Sequence, residues 1–338
     1  MAQTRDDEDE AEPTQRSARG VAPQPGQRFD RYLLLRALGH GGMGVVFLAH
    51  DPRLDRHVAL KLLHEQAHEH ELRADARARL LREARALARL AHPNVVPVFD
   101  VGVAHDRAFV AMEYVDGCTL SAWLRRRGRS VAEILRVFVD AGRGLEAAHA
   151  LGIVHRDFKP DNVLIGREGA DERARVVDFG LARAGESTSS SSVGHVGEPS
   201  GPSSIDAAPG DDAITRVGVV LGTPAYMAPE QHRGLPLSPA TDQYAFCVAL
   251  FEALTGTRPF VADSGARLLR LKLGGAPPWP ASARAIPSWL RRVVATGLQP
   301  EPASRHASMA VLVAALLRGP ARARLRPLLA TAAGATAI

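Results

Sequence analysis

His155-Arg156-Asp157-Phe158-Lys159-Pro160-Asp161-Asn162 is the strongest chemical signal in this chain. An aspartate on a loop, here Asp157, can accept a hydroxyl proton. Lys159, two residues on, can neutralise a transferring phosphoryl group. Asn162, five residues on, can ligate a divalent cation through its amide oxygen. Asp178, in Asp178-Phe179-Gly180, adds a second hard oxygen ligand of the kind Mg2+ prefers. Taken singly, these are a turn aspartate, a surface lysine and a capping asparagine. At this joint spacing few innocent readings remain.

A second constellation lies upstream. Gly39-His40-Gly41-Gly42-Met43-Gly44-Val45-Val46 sits between two predicted strands. Glycines so spaced let the backbone bend closely over phosphates, where a Cβ would collide. A dinucleotide fingerprint has similar spacing but opens a helix, and here a β-branched strand follows. A glycine-rich hairpin turn is the plain alternative. Val58-Ala59-Leu60-Lys61 then puts a lysine on the next strand, within reach of phosphates under the glycines. That lysine needs a carboxylate to hold it. Glu83, mid-way along the following helical stretch, is the candidate. Either residue alone reads as a solvated surface charge.

The elements that must position these groups follow from periodicity. Strands are predicted from Phe29, over Val45–Ala49 and His57–Leu62, and near Val95–Val101 and Ala108–Met112. A charged helix covers about Leu72 to Leu90, with Leu80, Ala84, Leu87 and Leu90 on one face. After Gly117 the pattern turns helical, over Leu120–Arg127, Val131–Leu151 and Pro239–Thr255, and on to about Arg318. The fold expected is α+β and bilobal. A strand-rich lobe over about 29–113 leads through a hinge at 113–117 to a mainly helical lobe over about 118–318. Residues 1–28 read as a disordered tail and 319–338 as a basic tail. A Ser/Gly/Pro/Asp-rich insert spans about 185–212.

With these motifs in order the chain resembles the eukaryotic-type (Hanks-type) protein kinases, especially bacterial serine/threonine kinases. The order is glycine loop, VALK, helix-borne Glu83, HRD…N, DFG and Ala228-Pro229-Glu230, over roughly residues 29 to 318. The resemblance implies ATP with Mg2+ (Mn2+ as an alternative ion) and protein substrates. It places Gly39, Gly41, Gly42 and Gly44 over the phosphates, and Lys61 on the α- and β-phosphates with Glu83 as its partner. Asp157 would orient the substrate hydroxyl and take its proton, and Lys159 would steady the γ-phosphoryl. Asn162 and Asp178 would hold magnesium. Leu38, Val46, Ala59 and Leu164 would enclose adenine, with Met112 as gatekeeper and the backbone of Glu113 and Val115 at the base edge.

Two features of the resemblance imply serine/threonine rather than tyrosine specificity: Lys159 after the catalytic aspartate, and Thr223 in Gly222-Thr223-Pro224-Ala225-Tyr226. Asp242 resembles the aspartate that supports the catalytic loop, and Arg305 the arginine that pairs with Glu230. Arg156 resembles a phosphate-sensing arginine. Thr215, eight residues before Thr223, is the expected autophosphorylation site, which would involve self-association. Phe158 departs from the commoner leucine. The insert makes the segment from Asp178 to Glu230 unusually long. His64, His68 and His70 could in principle hold a metal, but a solvated loop is the simpler reading.

Other classes fit less well. A pseudokinase scaffold would lack one of the catalytic groups, and all are present. A small-molecule kinase generally lacks the Gly-Thr-Pro…Ala-Pro-Glu segment. An interaction module would make use of the insert and tails. The net charge of +5 comes with abundant acids and no aromatic-studded basic segment, so no nucleic-acid partner is expected. Cys118 and Cys247 show no CxxC spacing, which fits a reducing, cytoplasmic setting. Membrane contact is expected only if the native chain extends further. Arg318, Arg322, Arg324 and Arg326 could then lie beside an anionic surface, with a solvated basic linker the simpler reading.

Overall fold

The computed structural model describes residues 23–41, 44–63, 87–105, 107–126, 128–168, 171–179 and 223–319. Six strands form the first sheet: β1 (Arg28–Phe29), β2 (Tyr32–Gly41), β3 (Gly44–Asp51), β4 (Arg56–Leu63), β5 (Val98–Ala104) and β6 (Arg107–Glu113). Their order is β1-β2-β3-β4-β6-β5, all antiparallel. Side chains alternate faces along a strand, and β4 uses both. Val58, Leu60 and Leu62 enter a small core with Phe47, Phe109 and Ala111. Ala59 and Lys61 face the other way, and Ala59 joins Val110 and Met112 in the main core. The central strand therefore seals the upper lobe with one face and roofs a cleft with the other.

Below it, β7 (Gly117–Thr119), β8 (Val163–Glu168) and β9 (Asp171–Val176) make a three-stranded sheet. The helices are α1 (Leu120–Arg126), α2 (Val131–Ala150), α3 (Pro229–His232), α4 (Pro239–Thr255), α5 (Gly265–Leu273), α6 (Ser288–Gly297) and α7 (309–319). A capping box closes the start of α2. The Glu133 N–H donates to the Ser130 hydroxyl, and the Ser130 N–H donates to the Glu133 carboxylate. α4 starts at a Ser238 cap with Pro239 in its first turn and stops at Gly256, whose φ of 77° is left-handed. Every residue of α4 from Thr241 to Phe251 is buried. A helix buried all round is the centre of a core, and Phe246 meets Phe138 of α2 edge-on at 5.3 Å.

The strands start and stop within a few residues of the sequence expectation, and Pro239–Thr255 agrees at both ends. The stretch near Val95 differs. Its strand begins at Val98, and Val95 makes only an isolated bridge to Val176. Most of the Leu72–Leu90 helix, the insert at 185–212 and both tails lie outside the described residues. Among the described residues no helix is long and apolar enough to cross a membrane.

Candidate active site

The loop from α2 to β8 carries Asp157, and a buried carboxylate shapes it. Asp242 is 1% exposed. It accepts from the backbone N–H of His155 at 2.8 Å, that of Arg156 at 2.8 Å and the Nε2 of His149 at 2.7 Å. Arg156 has φ of 67°, a left-handed conformation uncommon outside glycine. Such a residue persists where its surroundings over-determine it. Here Asp242 holds its N–H, and Gln231 Nε2 donates to its carbonyl at 2.7 Å.

His155 is fully buried. Its Nε2 donates to the Val177 carbonyl at 3.0 Å, which leaves Nδ1 to accept the Asp157 N–H at 3.3 Å. One imidazole thus ties the Asp157 loop to the chain entering Asp178. The rings of Phe179 and Phe158 lie 4.8 and 5.9 Å from it.

Lys159 Nζ donates to Asp157 Oδ2 at 2.7 Å. Asn162 Nδ2 donates to the Asp157 carbonyl at 2.7 Å and to Oδ2 at 3.3 Å. Both partners are pure acceptors, so the nitrogen of this amide is fixed on that side and its oxygen is turned toward other ligands. Asp178, with φ of 63°, pairs through Oδ2 with Lys61 Nζ at 2.9 Å. Lys61 is 5% exposed. Asp178 Oδ1 is buried, with no hydrogen-bond partner among the described residues. A buried carboxylate oxygen without a donor is costly, and a hard divalent cation would satisfy it. Two hard oxygen ligands, completed by phosphate and water, suit Mg2+. The donor set therefore fits the ion.

Above the cleft, the glycines divide into two kinds. A Cβ built on Gly39 or Gly41 meets nothing within 4 Å, so their missing side chains leave open space. At Gly44, with φ of 154°, a Cβ would sit 2.0 Å from the Leu62 carbonyl oxygen, so this glycine serves the contact between β3 and β4. Behind the glycines, Ala59 pairs with Met112 and Val46 with Lys61. Leu164 and Val115 are half-buried against the main core, and Leu38 is 36% exposed on β2. The Glu113 N–H already donates to the Pro97 carbonyl at 3.0 Å, so Glu113 can meet a base only through its carbonyl.

The structure thus gathers Lys61, Asp157, Lys159, Asn162 and Asp178 at one mouth, with Arg156 beside them. Gly42, Glu83, Gly180 and Thr215, the side chain of Thr223 and the His64–His70 group lie outside the described residues. Among those described, the partner of Lys61 is Asp178. The expected Glu230–Arg305 pair is present: Nη1 to Oε1 at 2.7 Å and Nη2 to Oε2 at 2.8 Å, both side chains buried. Burial would raise the Glu230 carboxyl; the Arg305 hydrogen bonds outweigh it and leave the pKa below its ordinary value. Sequence reading missed Gln231, the double duty of His155, the Glu113–Arg175 ion pair and buried Lys272. It also missed Gly166, where a Cβ would stand 2.6 Å from the Val115 side chain.

A two-lobed fold with a lysine strand above and an aspartate loop below is that of a protein kinase. The chain belongs to that family: the model described as "Protein kinase domain" matches residues 32–316. It is 38% identical to serine/threonine-protein kinase PknD of Mycobacterium tuberculosis over 291 residues, covering 85% of this chain and 39% of that protein. It is 38% identical to pkn3 of Myxococcus xanthus, covering 82% of this chain and 48% of that protein. It is 37% identical to PknA of Mycobacterium tuberculosis, covering 82% and 58%. The chain thus spans about two fifths to three fifths of the length of these relatives. The crystal structure of the Mycobacterium tuberculosis PknI kinase domain superposes with a TM-score of 0.62 at 26% identity, covering 88% of this chain and 99% of that one.

Proposed function

We propose that this chain is an ATP- and Mg2+-dependent kinase that phosphorylates serine or threonine in proteins. The observation that carries the reading is the Asp157 carboxylate held by Lys159 and Asn162, on a loop that Asn162 and His155 bond to Val177, next to the Asp178 that pairs with Lys61. Asp157 orients the acceptor hydroxyl and takes its proton as the oxygen bonds to the γ-phosphorus and the bond to ADP breaks. Lys159, already at that carboxylate, meets the charge spread over the transferring group. Lys61 holds the α- and β-phosphates. Asn162 and Asp178 would hold Mg2+, which neutralises phosphate charge and fixes phosphate geometry. Gly39, Gly41 and Gly42 cover the phosphates, and Leu38, Val46, Ala59, Met112 and Leu164 enclose the base. The domain runs over about 29–318 and works in the cytoplasm.

Transfer of labelled phosphate from Mg-ATP to a basic acceptor protein tests this. Asp157→Asn should lower turnover about 10²–10⁴-fold, the usual worth of a general base, while ATP still raises the melting temperature. Near-normal turnover in that variant would refute the assignment.

Control is proposed to run through Thr215. A phosphate there carries about −1.5 to −2 charge and forms strong paired bonds with arginine, and Arg156 is the arginine next to the catalytic aspartate. Mass spectrometry after incubation with Mg-ATP should find that phosphate in the parent chain and not in Asp157→Asn. Thr215→Ala should be markedly less active; full activity would place the switch elsewhere.

A further inference from the structure

Lys272 is fully buried, and nothing in the reaction described above uses it. It lies on α5, and its Nζ donates to the carbonyls of Pro224 at 2.8 Å and Met227 at 2.6 Å. His232 Nε2 stands 3.1 Å away. An ammonium has three N–H donors and no acceptor, and here it meets three acceptors. All three are uncharged, because burial and then the charge of Lys272 hold His232 neutral. Burying an ammonium among neutral groups is costly, and an apolar side chain of that length would fill the same space. What the ammonium adds is a clamp across both ends of one turn.

That turn follows Thr223 directly and runs into α3. From α3, Gln231 bonds the Arg156 carbonyl, one residue before Asp157. Tyr226, inside the turn, gives its hydroxyl to Glu252 of α4 at 2.6 Å. The turn is therefore fastened to α4 by one side chain, to α5 by Lys272, and through α3 to the catalytic loop. Through Gln231 and Arg156 the turn is linked to Asp157, the residue that would receive the acceptor hydroxyl.

We propose that Lys272 is a positioning residue for the acceptor protein, its amino group holding the Pro224–Met227 turn in place against α5. This rests on the protein-kinase reading, and the experiment separates the two. The full chain is assayed with myelin basic protein as acceptor, and separately for ATP hydrolysis with water as acceptor. Lys272→Met should raise the acceptor KM about fivefold or more, with the ATP KM and hydrolysis within about twofold of the parent. Lys272→Gln, which keeps two N–H donors, should fall between. An unchanged acceptor KM, or parallel losses in transfer and hydrolysis, would overturn the proposal. So would failure of both variants to fold, because Lys272 would then serve stability. If the parent chain phosphorylated no acceptor, the protein-kinase reading would fail first.

Discussion

Two loops frame the cleft, and they are built in opposite ways. The lower one, His155 to Asn162, is fixed from every side: by Asp242 on two N–H groups, by Gln231 on a carbonyl, and by a buried imidazole. The upper one, around Gly39 and Gly41, has nothing within 4 Å of the positions a Cβ would take. In the proposed mechanism Asp157 takes a proton, a step that tolerates little error in placement, and its backbone is held even through a left-handed arginine. Covering a phosphate needs backbone N–H groups and room. The open space beside Gly39 and Gly41 is where the proposed reading puts the phosphates.

The contrast makes the lower frame the place where a substitution costs stability. Arg305 and Glu230 belong to that frame, with Thr241 donating to the same carboxylate at 2.9 Å and Arg305 also bonding the carbonyls of Ala240, Gln299 and Pro300. Arg305→Ala removes two donors from a buried carboxylate, which keeps only Thr241, and one from each of three carbonyls. The expected cost is about 3–5 kcal/mol, typical of breaking one side of a buried pair. Chemical denaturation measures it, and an unchanged midpoint would show the frame to be dispensable.

Within the upper loop the same contrast recurs on a smaller scale. Gly44→Ala drives a methyl group into the Leu62 carbonyl at a φ that suits glycine alone, so a loss of more than about 1 kcal/mol is expected. Gly41→Ala enters open space, and its stability should stay within about 0.5 kcal/mol of the parent. Its effect should fall instead on nucleotide affinity, read as a smaller thermal shift with Mg-ATP. Equal melting temperatures for the two variants would erase the distinction between a glycine packed against a neighbouring strand and one beside open space.

Much of this was legible in the sequence because the chemistry is local there. Asp157, Lys159 and Asn162 fall within six residues, and strand periodicity alone puts Ala59 and Lys61 on one face. Asp242, Arg305 and Glu230 were legible through family likeness, and the structure supplies their hydrogen bonds. Lys272 was not legible. In Leu271-Lys272-Leu273 the lysine looks like the exposed residue, yet both leucines are over 40% exposed and the lysine is buried. Its partners are backbone carbonyls some 45 residues earlier, which no side-chain pattern reports. The Glu113–Arg175 pair, 62 residues apart, was hidden for the same reason.

The smallest expected effect tests whether that unread corner also belongs to the rigid frame. Burial, and then the nearby Lys272 charge, push His232 down from 6.5 to about 4, with the Pro224 carbonyl opposing. Burial lowers Lys272 from 10.5 to about 7. For a group whose folded pKa is depressed, the stabilisation is complete above the unfolded value and drains away as pH falls toward the folded one. For His232 that window runs from about 6.5 to about 4. Well below pH 7 Lys272 is charged in both folded and unfolded chains, and other groups titrate alike in both proteins, so the difference in slope between parent and His232→Gln reports the imidazole. A protonated His232 would face the Lys272 ammonium across 3.1 Å, pressing apart the clamp on Pro224 and Met227. The melting temperature should therefore fall more steeply between pH 6.5 and 4 in the parent than in His232→Gln. The difference between them should be only a few degrees, because His232 is half-buried and solvent screens part of the repulsion. Parallel curves would mean that the imidazole can swing away from Lys272, and that this corner yields where the catalytic loop does not.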